Sequence, residues 1–386
     1  PPLGLPESRS EPPRKKSACL ILNSLIPEIK RGRQLTNFLP TEKTLAMTSP
    51  LRIGAVGLGR LGRFHAETVA KHLPHTELAA VCSVVPDELA SAKNHFPNAS
   101  GYADYTEMLN TECLDAVVLT SPSALHCAQL LQAAEAGLHV FTEKPLGITG
   151  EECQNVVQQV SAHPDLTIMV GFMRRYDPSY LEVKTRLDAG DIGRPILFRS
   201  YSVDPETCID GALAYLPHSA GQFLDMAVHD IDLARWVLQS EPRMITAAGG
   251  CYAHPEFAAH DDGDNVAAFM QFKNETMVFL LAGRTAPHGY QVETEIIGTK
   301  ATLRVGMTPQ RNLVEILDAH GVRKLCSQGF LERFEQAYIA ELAAFVQCIR
   351  KGKPAEVTVN DGLRATEIAL AAQQAFRDRS SSSEPA

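Results

Sequence analysis

The chain has 386 residues, a length for two or three domains, with 45% hydrophobic and 21% charged residues and a formal net charge of −9. The acidic balance argues against a phosphate-tracking surface and so against nucleic acid as a partner. No apolar stretch reaches the ~20 residues needed to span a bilayer, so no membrane partner is expected.

Residues 1–46 mix Pro, Ser and basic residues and are expected to be disordered or a non-native leader, Met47 being a natural initiator. Glu7, Glu11, Glu28 and Glu42 argue against a transit peptide, which is poor in acids. From residue 47 to residue 170 strand and helix patterns alternate. Strand Arg52–Val56 leads to a helix over Leu61–His72, strand Glu77–Cys82 to a helix over Asp87–Asn94, and strand Asp115–Thr120 to a helix over Ala124–Ala136. Strand His139–Thr142 precedes a helix over Gly150–Ser161, and strand Leu166–Gly171 ends the series. That alternation predicts an α/β domain with a doubly wound parallel sheet.

The pattern changes over 171–377. A helix over Ser179–Ala189 is followed by strands at Ile196–Val203, Met244–Cys251, Val266–Phe272, Met277–Ala282, Val292–Ile297 and Ala301–Val305. Helices are predicted over Gln222–Leu238, Leu331–Ile349 and Gly362–Phe376. Consecutive strands with little helix between them predict an α+β second domain with an open, mostly antiparallel sheet. Residues 378–386 read as a disordered polar tail. The nine cysteines are scattered and none stands in a Cys-x-x-Cys pair, which argues against a structural metal or a redox dithiol and for reduced, buried thiols in a cytoplasmic protein.

Gly57-Leu58-Gly59-Arg60-Leu61-Gly62 follows the first strand and opens a helix, the context a dinucleotide fingerprint requires. Gly57 permits the turn, Gly59 lets backbone approach a pyrophosphate, Gly62 lets helix and strand pack closely, and the helix N-terminus attracts phosphate. An acid is expected at the end of the second strand to hold the ribose, but Ser83 stands there, so NAD or NADP is admitted. Asp87 can reach back if the strand ends later. Thr120, Ser121 and Pro122, with His126 nearby, lie at the next strand end and are expected near the nicotinamide ribose. Glu143-Lys144-Pro145 lies at the following strand end, which delivers Lys144 to the mouth of the cofactor crevice as a proton acceptor or donor.

On the substrate side, Asp225 and His229 are four apart and Asp232 follows three later, so one helix stacks them on a single face. Their neighbours are apolar, and a polar stripe in a buried helix must face something polar. No further metal ligand stands at suitable spacing, so no metal is expected and the stripe reads as a site for polyol hydroxyls. Arg174 and Tyr290 are further substrate candidates.

Taken together, Gly57–Gly62, Glu143-Lys144-Pro145, Gly171-Phe172-Met173-Arg174-Arg175-Tyr176-Asp177 and Asp225-x-x-x-His229 resemble the Gfo/Idh/MocA oxidoreductase family, and within it the inositol 2-dehydrogenases, over about Leu51 to Arg377. The resemblance implies a Rossmann N-terminal domain, a C-terminal domain whose open sheet makes a homodimer or homotetramer, and Lys144 as the catalytic residue. It implies that Asp225 and His229 join Lys144 in catalysis, with Asp225 orienting the imidazole, and that Asp232 and Arg174 touch substrate. The function it implies is hydride transfer between NAD or NADP and a secondary alcohol of a cyclic polyol or sugar. The alternatives are a sugar reductase, an NAD-dependent glycosidase, or a non-catalytic NAD(P)-sensing regulator on the same fold. Ser83 departs from the pattern of NAD-dependent relatives, which usually carry Asp there.

Overall fold

The computed structural model describes residues 49–306 and 310–381. The expected leader over 1–46 lies outside the described residues, as does most of the expected tail. The first sheet holds β1 (Leu51–Val56), β2 (Thr76–Cys82), β3 (Ser100–Tyr102), β4 (Ala116–Leu119), β5 (His139–Glu143) and β6 (Ile168–Gly171). Its order is β3-β2-β1-β4-β5-β6 and every pair is parallel. The central strand β4 is a continuous apolar run with all four residues buried, as expected where helices cover both faces. Strand order reverses between β1 and β4, which opens a crevice beyond their carboxyl ends. Two elements escaped the sequence pattern, the three-residue β3 and the short helix Tyr105–Thr111, whose Asp104 cap accepts from the Glu107 amide at 2.7 Å.

The second sheet contains β7 (Pro195–Pro205), β8 (Pro242–Gly250), β9 (Asn265–Phe272), β10 (Met277–Ala286), β11 (Gln291–Gly298) and β12 (Thr302–Val305), in the order β12-β11-β7-β10-β9-β8. All its pairs are antiparallel except β7 with β10, which run parallel. Along β9 buried and half-buried residues alternate strictly, so one face is covered by helices and the other is open. β7 and β10 each run past their expected ends, to Pro205 and Ala286, and both extensions carry site residues. An exposed hairpin, β13 (Gln310–Asp318) and β14 (Gly321–Cys326), was not expected.

The helices Phe330–Lys351 and Val359–Ser381 serve both lobes. Phe345 meets Phe141 of β5 at 5.9 Å between ring centroids, and Glu367 accepts from Gln154 at 3.1 Å. The second of these helices continues to Ser381, so the expected tail begins as helix and not as coil. The single helix expected over Gln222–Leu238 is a π-helical turn, Phe223–Ala227, followed by an α-helix, Val228–Leu238. No helix among the described residues is long and apolar enough to cross a membrane.

Candidate active site

Two cavities meet at Lys144. The larger, about 700 Å³, runs along the switch point of the first sheet and is lined by Gly57, Leu58, Gly59, Arg60, Leu61, Ser83, Thr120, Ser121, Pro122, His126, Glu143 and Lys144, among others. Those are the residues expected at the cofactor. Gly57 has φ +82°, and a Cβ on Gly62 would stand 1.8 Å from the Gly57 carbonyl oxygen, so both glycines are required by the close turn. A Cβ on Gly59 would meet nothing closer than 4.0 Å, which leaves that backbone open to a bound group. The helix Arg60–Lys71 starts without a side-chain cap and without an acid in its first turn, so its amides remain available to an anion. The cavity therefore fits a dinucleotide.

The other expected cofactor residues divide into walls and braces. The Thr120 hydroxyl donates to the carbonyls of Val56 at 2.8 Å and Gly57 at 2.7 Å, pinning the glycine turn to the end of β4. Both ring nitrogens of the buried His126 lie 2.8 Å from carbonyl oxygens, of Pro145 and of Ser121, so this ring ties the turn after β4 to the turn after β5. Glu143 lies within 2.9 Å of His65 Nε2 and accepts the Lys144 amide at 3.1 Å, fixing the base of the lysine. Near it, Glu341 is buried with no hydrogen-bond partner among the described residues, and burial followed by the nearby Glu143 charge pushes its carboxyl pKa well up. His65, Glu143 and Glu341 bring ligand atoms within 4.8 Å of one another.

The smaller cavity, about 460 Å³, lies between the lobes and is lined by Lys144, Arg174, Asp204, Tyr215, Asp225, His229, Arg284 and Tyr290, among others. Lys144 lines both cavities, and its Nζ donates to the Asp225 backbone oxygen at 2.9 Å across the lobe junction. His229 is buried, with its Nδ1 unpartnered among the described residues and its ring edge-on to Phe172 at 6.2 Å. Burial, then the Lys144 charge, then the Arg174 charge hold its pKa well below the usual range, so the imidazole is neutral near pH 7.

Two expectations need correction. Asp225 does not orient His229: its carboxylate is bound by Arg284, and the π turn at Phe223–Ala227 breaks the four-residue stacking on which the pairing rested. Asp232 does not face the cavity. It is fully buried and takes two bonds from Arg175, at 2.9 Å to Nε and 2.5 Å to one terminal nitrogen. Arg174 does line the cavity but is tied to the buried Asp230 at 2.5 Å and to the Ser202 hydroxyl at 2.9 Å. It is a wall with a fixed charge.

Arg284 and Asp204 are site residues that no motif in the sequence marks. Arg284 spans the cavity floor, pairing with Asp225 and, at 2.6 Å, with Asp204, while its Nε donates to Gln222 at 3.2 Å. Burial pushes the Asp204 pKa up, and Arg284 opposes that. Tyr215 is unmarked too. It sits on the short helix Ile209–Tyr215, lines both cavities, and its hydroxyl lies 2.7 Å from that of Ser123 across the lobe junction. The only signals in the sequence were a lone arginine inside the apolar run Leu280-Leu281-Ala282-Gly283-Arg284 and an aspartate directly after Val203.

A switch-point cleft opening onto a second, polar cavity, with one lysine in both walls, defines a two-lobed dinucleotide-dependent oxidoreductase. The model of an oxidoreductase family with an NAD-binding Rossmann fold matches residues 51–172, and that of the GFO/IDH/MocA C-terminal domain matches 180–304. The chain belongs to the Gfo/Idh/MocA family. It is 32% identical over 334 residues to the scyllo-inositol 2-dehydrogenase (NAD(+)) of Bacillus subtilis, covering 86% of this chain and 96% of that protein. It is 30% identical over 332 residues to the myo-inositol 2-dehydrogenase of Thermotoga maritima, covering 86% and 98%. Its fold matches the crystal structure of scyllo-inositol dehydrogenase from Lactobacillus casei with bound NAD(H) and scyllo-inositol, at a TM-score of 0.83 and 41% identity, covering 86% of this chain and 98% of that one.

Proposed function

We propose that this chain is an NAD-dependent inositol dehydrogenase that oxidises one ring secondary alcohol of a cyclic polyol. One observation carries this reading: Lys144 stands in the wall common to a dinucleotide-shaped cleft and a polar cavity, with a neutral His229 in the second. The nicotinamide, when bound, accepts the hydride. The protein's own residues do the rest. A Lys ammonium carries three donors. The Lys144 group uses one on Asp225 and can direct another at the substrate hydroxyl. The hydroxyl proton goes to the neutral His229 imidazole, the member of the Lys144 and His229 pair with a free lone pair, as hydride departs, while Lys144 holds the oxygen. Asp204 and Asp225 accept further hydroxyls, and Arg284 between them offsets their charge. Holding the carbon beside the cofactor in this geometry supplies much of the acceleration.

Residues 47–170 bind the cofactor and 171–377 the substrate. The chain forms a homodimer or homotetramer through the open face of the second sheet, where Tyr201, Phe269, Phe279 and Leu281 are half-buried. The enzyme works in the cytoplasm, in keeping with eight free cysteines among the described residues.

A panel of scyllo-inositol, myo-inositol and aldoses, each with NAD or NADP and followed at the reduced-nicotinamide absorbance, tests this function. Inositol-dependent reduction is expected. Product formed without net cofactor reduction would place a glycosidase here. Lys144→Met should lower turnover by about 1000-fold or more while dinucleotide binding survives, since the lysine acts in the transition state.

A further inference from the structure

The end of the dinucleotide cleft opposite Lys144 carries an acid that comes from the wrong element. In dinucleotide folds of this order, an acidic side chain at the end of β2 takes the adenosine ribose hydroxyls. Here Ser83 occupies that place, and its hydroxyl donates to Glu88 Oε2 at 2.5 Å. Glu88 belongs to the first turn of the next helix, Pro86–His95. Both residues line the cleft. Glu88 Oε1 lies 4.0 Å from where a Cβ on Gly59 would stand, so the carboxylate faces the second glycine of the fingerprint across the cleft.

Glu88 does not serve this helix as a cap. The N-cap residue, Val85, has no side-chain capping bond, and its amide donates instead to the Ser83 hydroxyl at 3.1 Å. Ser83 thus holds the loop with one bond and aims the glutamate with another. Asp87, the acid that a later strand end would have offered, lies outside the cleft lining.

The charges along the cleft separate its two ends. Arg60 and Lys144 are the lysine and arginine side chains among the described residues lining it, and both also line the polyol cavity, so they belong to the nicotinamide end. Arg60 is further engaged over the Phe330 ring at 4.4 Å. At the Ser83 end, then, no arginine or lysine lines the wall where a 2′-phosphate would sit; Glu88 does, with Asp104, whose carboxylate caps the helix Tyr105–Thr111.

We propose that Glu88, aimed by Ser83, is the residue that selects NAD over NADP in this chain, by accepting the adenosine ribose hydroxyls and repelling a 2′-phosphate. This rests on the dinucleotide-dependent reading above and adds the residue that decides between the two cofactors.

The test is calorimetric titration of the full chain with NAD+ and, separately, NADP+, without polyol, so that binding is read apart from turnover. The unaltered protein should bind NAD+ about 30-fold more tightly than NADP+, a discrimination set by one unpaired like charge. Glu88→Gln keeps the shape and removes the charge. It should reduce that ratio about tenfold, weakening NAD+ and strengthening NADP+. Ser83→Ala, which unties the glutamate but leaves its charge, should weaken NAD+ about threefold and keep NAD+ preferred. Equal binding of the two cofactors by the unaltered protein, or an unchanged ratio in Glu88→Gln, overturns the assignment. If neither dinucleotide binds, the dinucleotide reading fails first and the assignment with it.

Discussion

The two lobes build their halves of the active site by opposite means. The first makes a ligand site out of missing atoms: glycines at Gly57, Gly59 and Gly62, backbone amides at a helix start, and a strand order that leaves a crevice. The second makes its site out of charges that are buried and already paired. Arg174 with Asp230, Arg175 with Asp232, and Arg284 with both Asp204 and Asp225 form its frame. The first kind of site admits no added atom at Gly57 or Gly62. The second tolerates added atoms better than lost partners, because an unpaired buried charge is costly while a paired one is nearly neutral in net stability.

That contrast can be broken experimentally. The largest effect should come from Asp230→Ala, which leaves the Arg174 guanidinium buried beside Ser202 without its carboxylate. A loss of about 3–5 kcal/mol in urea unfolding is expected. A loss below about 1 kcal/mol would show that the second lobe does not depend on its charge frame. Next is Gly62→Ala in the first lobe, where the new Cβ would stand 1.8 Å from the Gly57 carbonyl and 2.4 Å from the Thr120 hydroxyl. The helix must move off the strand, at about 1–3 kcal/mol of overpacking, and NAD+ should bind about tenfold more weakly by titration. Unaltered NAD+ affinity would mean the glycine cradle is not the phosphate site.

The smallest effect concerns Glu341, at the border of the two lobes. It is the exception to the second lobe's rule, a buried carboxyl with no hydrogen-bond partner among the described residues and a pKa pushed well up. A carboxyl whose folded pKa is raised keeps its full contribution to stability below the ordinary carboxyl range and loses it as pH rises toward the folded value. Glu341→Gln, neutral at every pH, should therefore melt about 3 °C higher near pH 7 and match the unaltered protein near pH 4. A lower melting temperature at pH 7 would show instead that the ionised carboxylate is held by a partner.

How much of this was legible beforehand follows the same divide. The glycine fingerprint, the Lys144 strand end and the alternation of the first lobe are local patterns, each contained in a few neighbouring residues, and the structure places them around one cleft. The strands of the second sheet were legible by their alternation, but their ends were not, because β7 and β10 continue through charged residues that only tertiary pairing makes tolerable. Asp204 and Arg284 lie 80 residues apart and meet because β7 and β10 run parallel, with Val203 beside Gly283. Helical spacing argued for an Asp225 and His229 pair, and a π turn undid it.

By itself the sequence determined the class of each lobe, the cleft and the position of the one lysine common to both cavities, because backbone geometry and apolar periodicity act over short separations. Only the tertiary structure decided which acid meets which arginine, that Glu88 stands in for the acid missing at Ser83, and that Asp232 supports Arg175 instead of a substrate. A charge finds its partner by where packing carries it, and spacing along the chain holds no record of that.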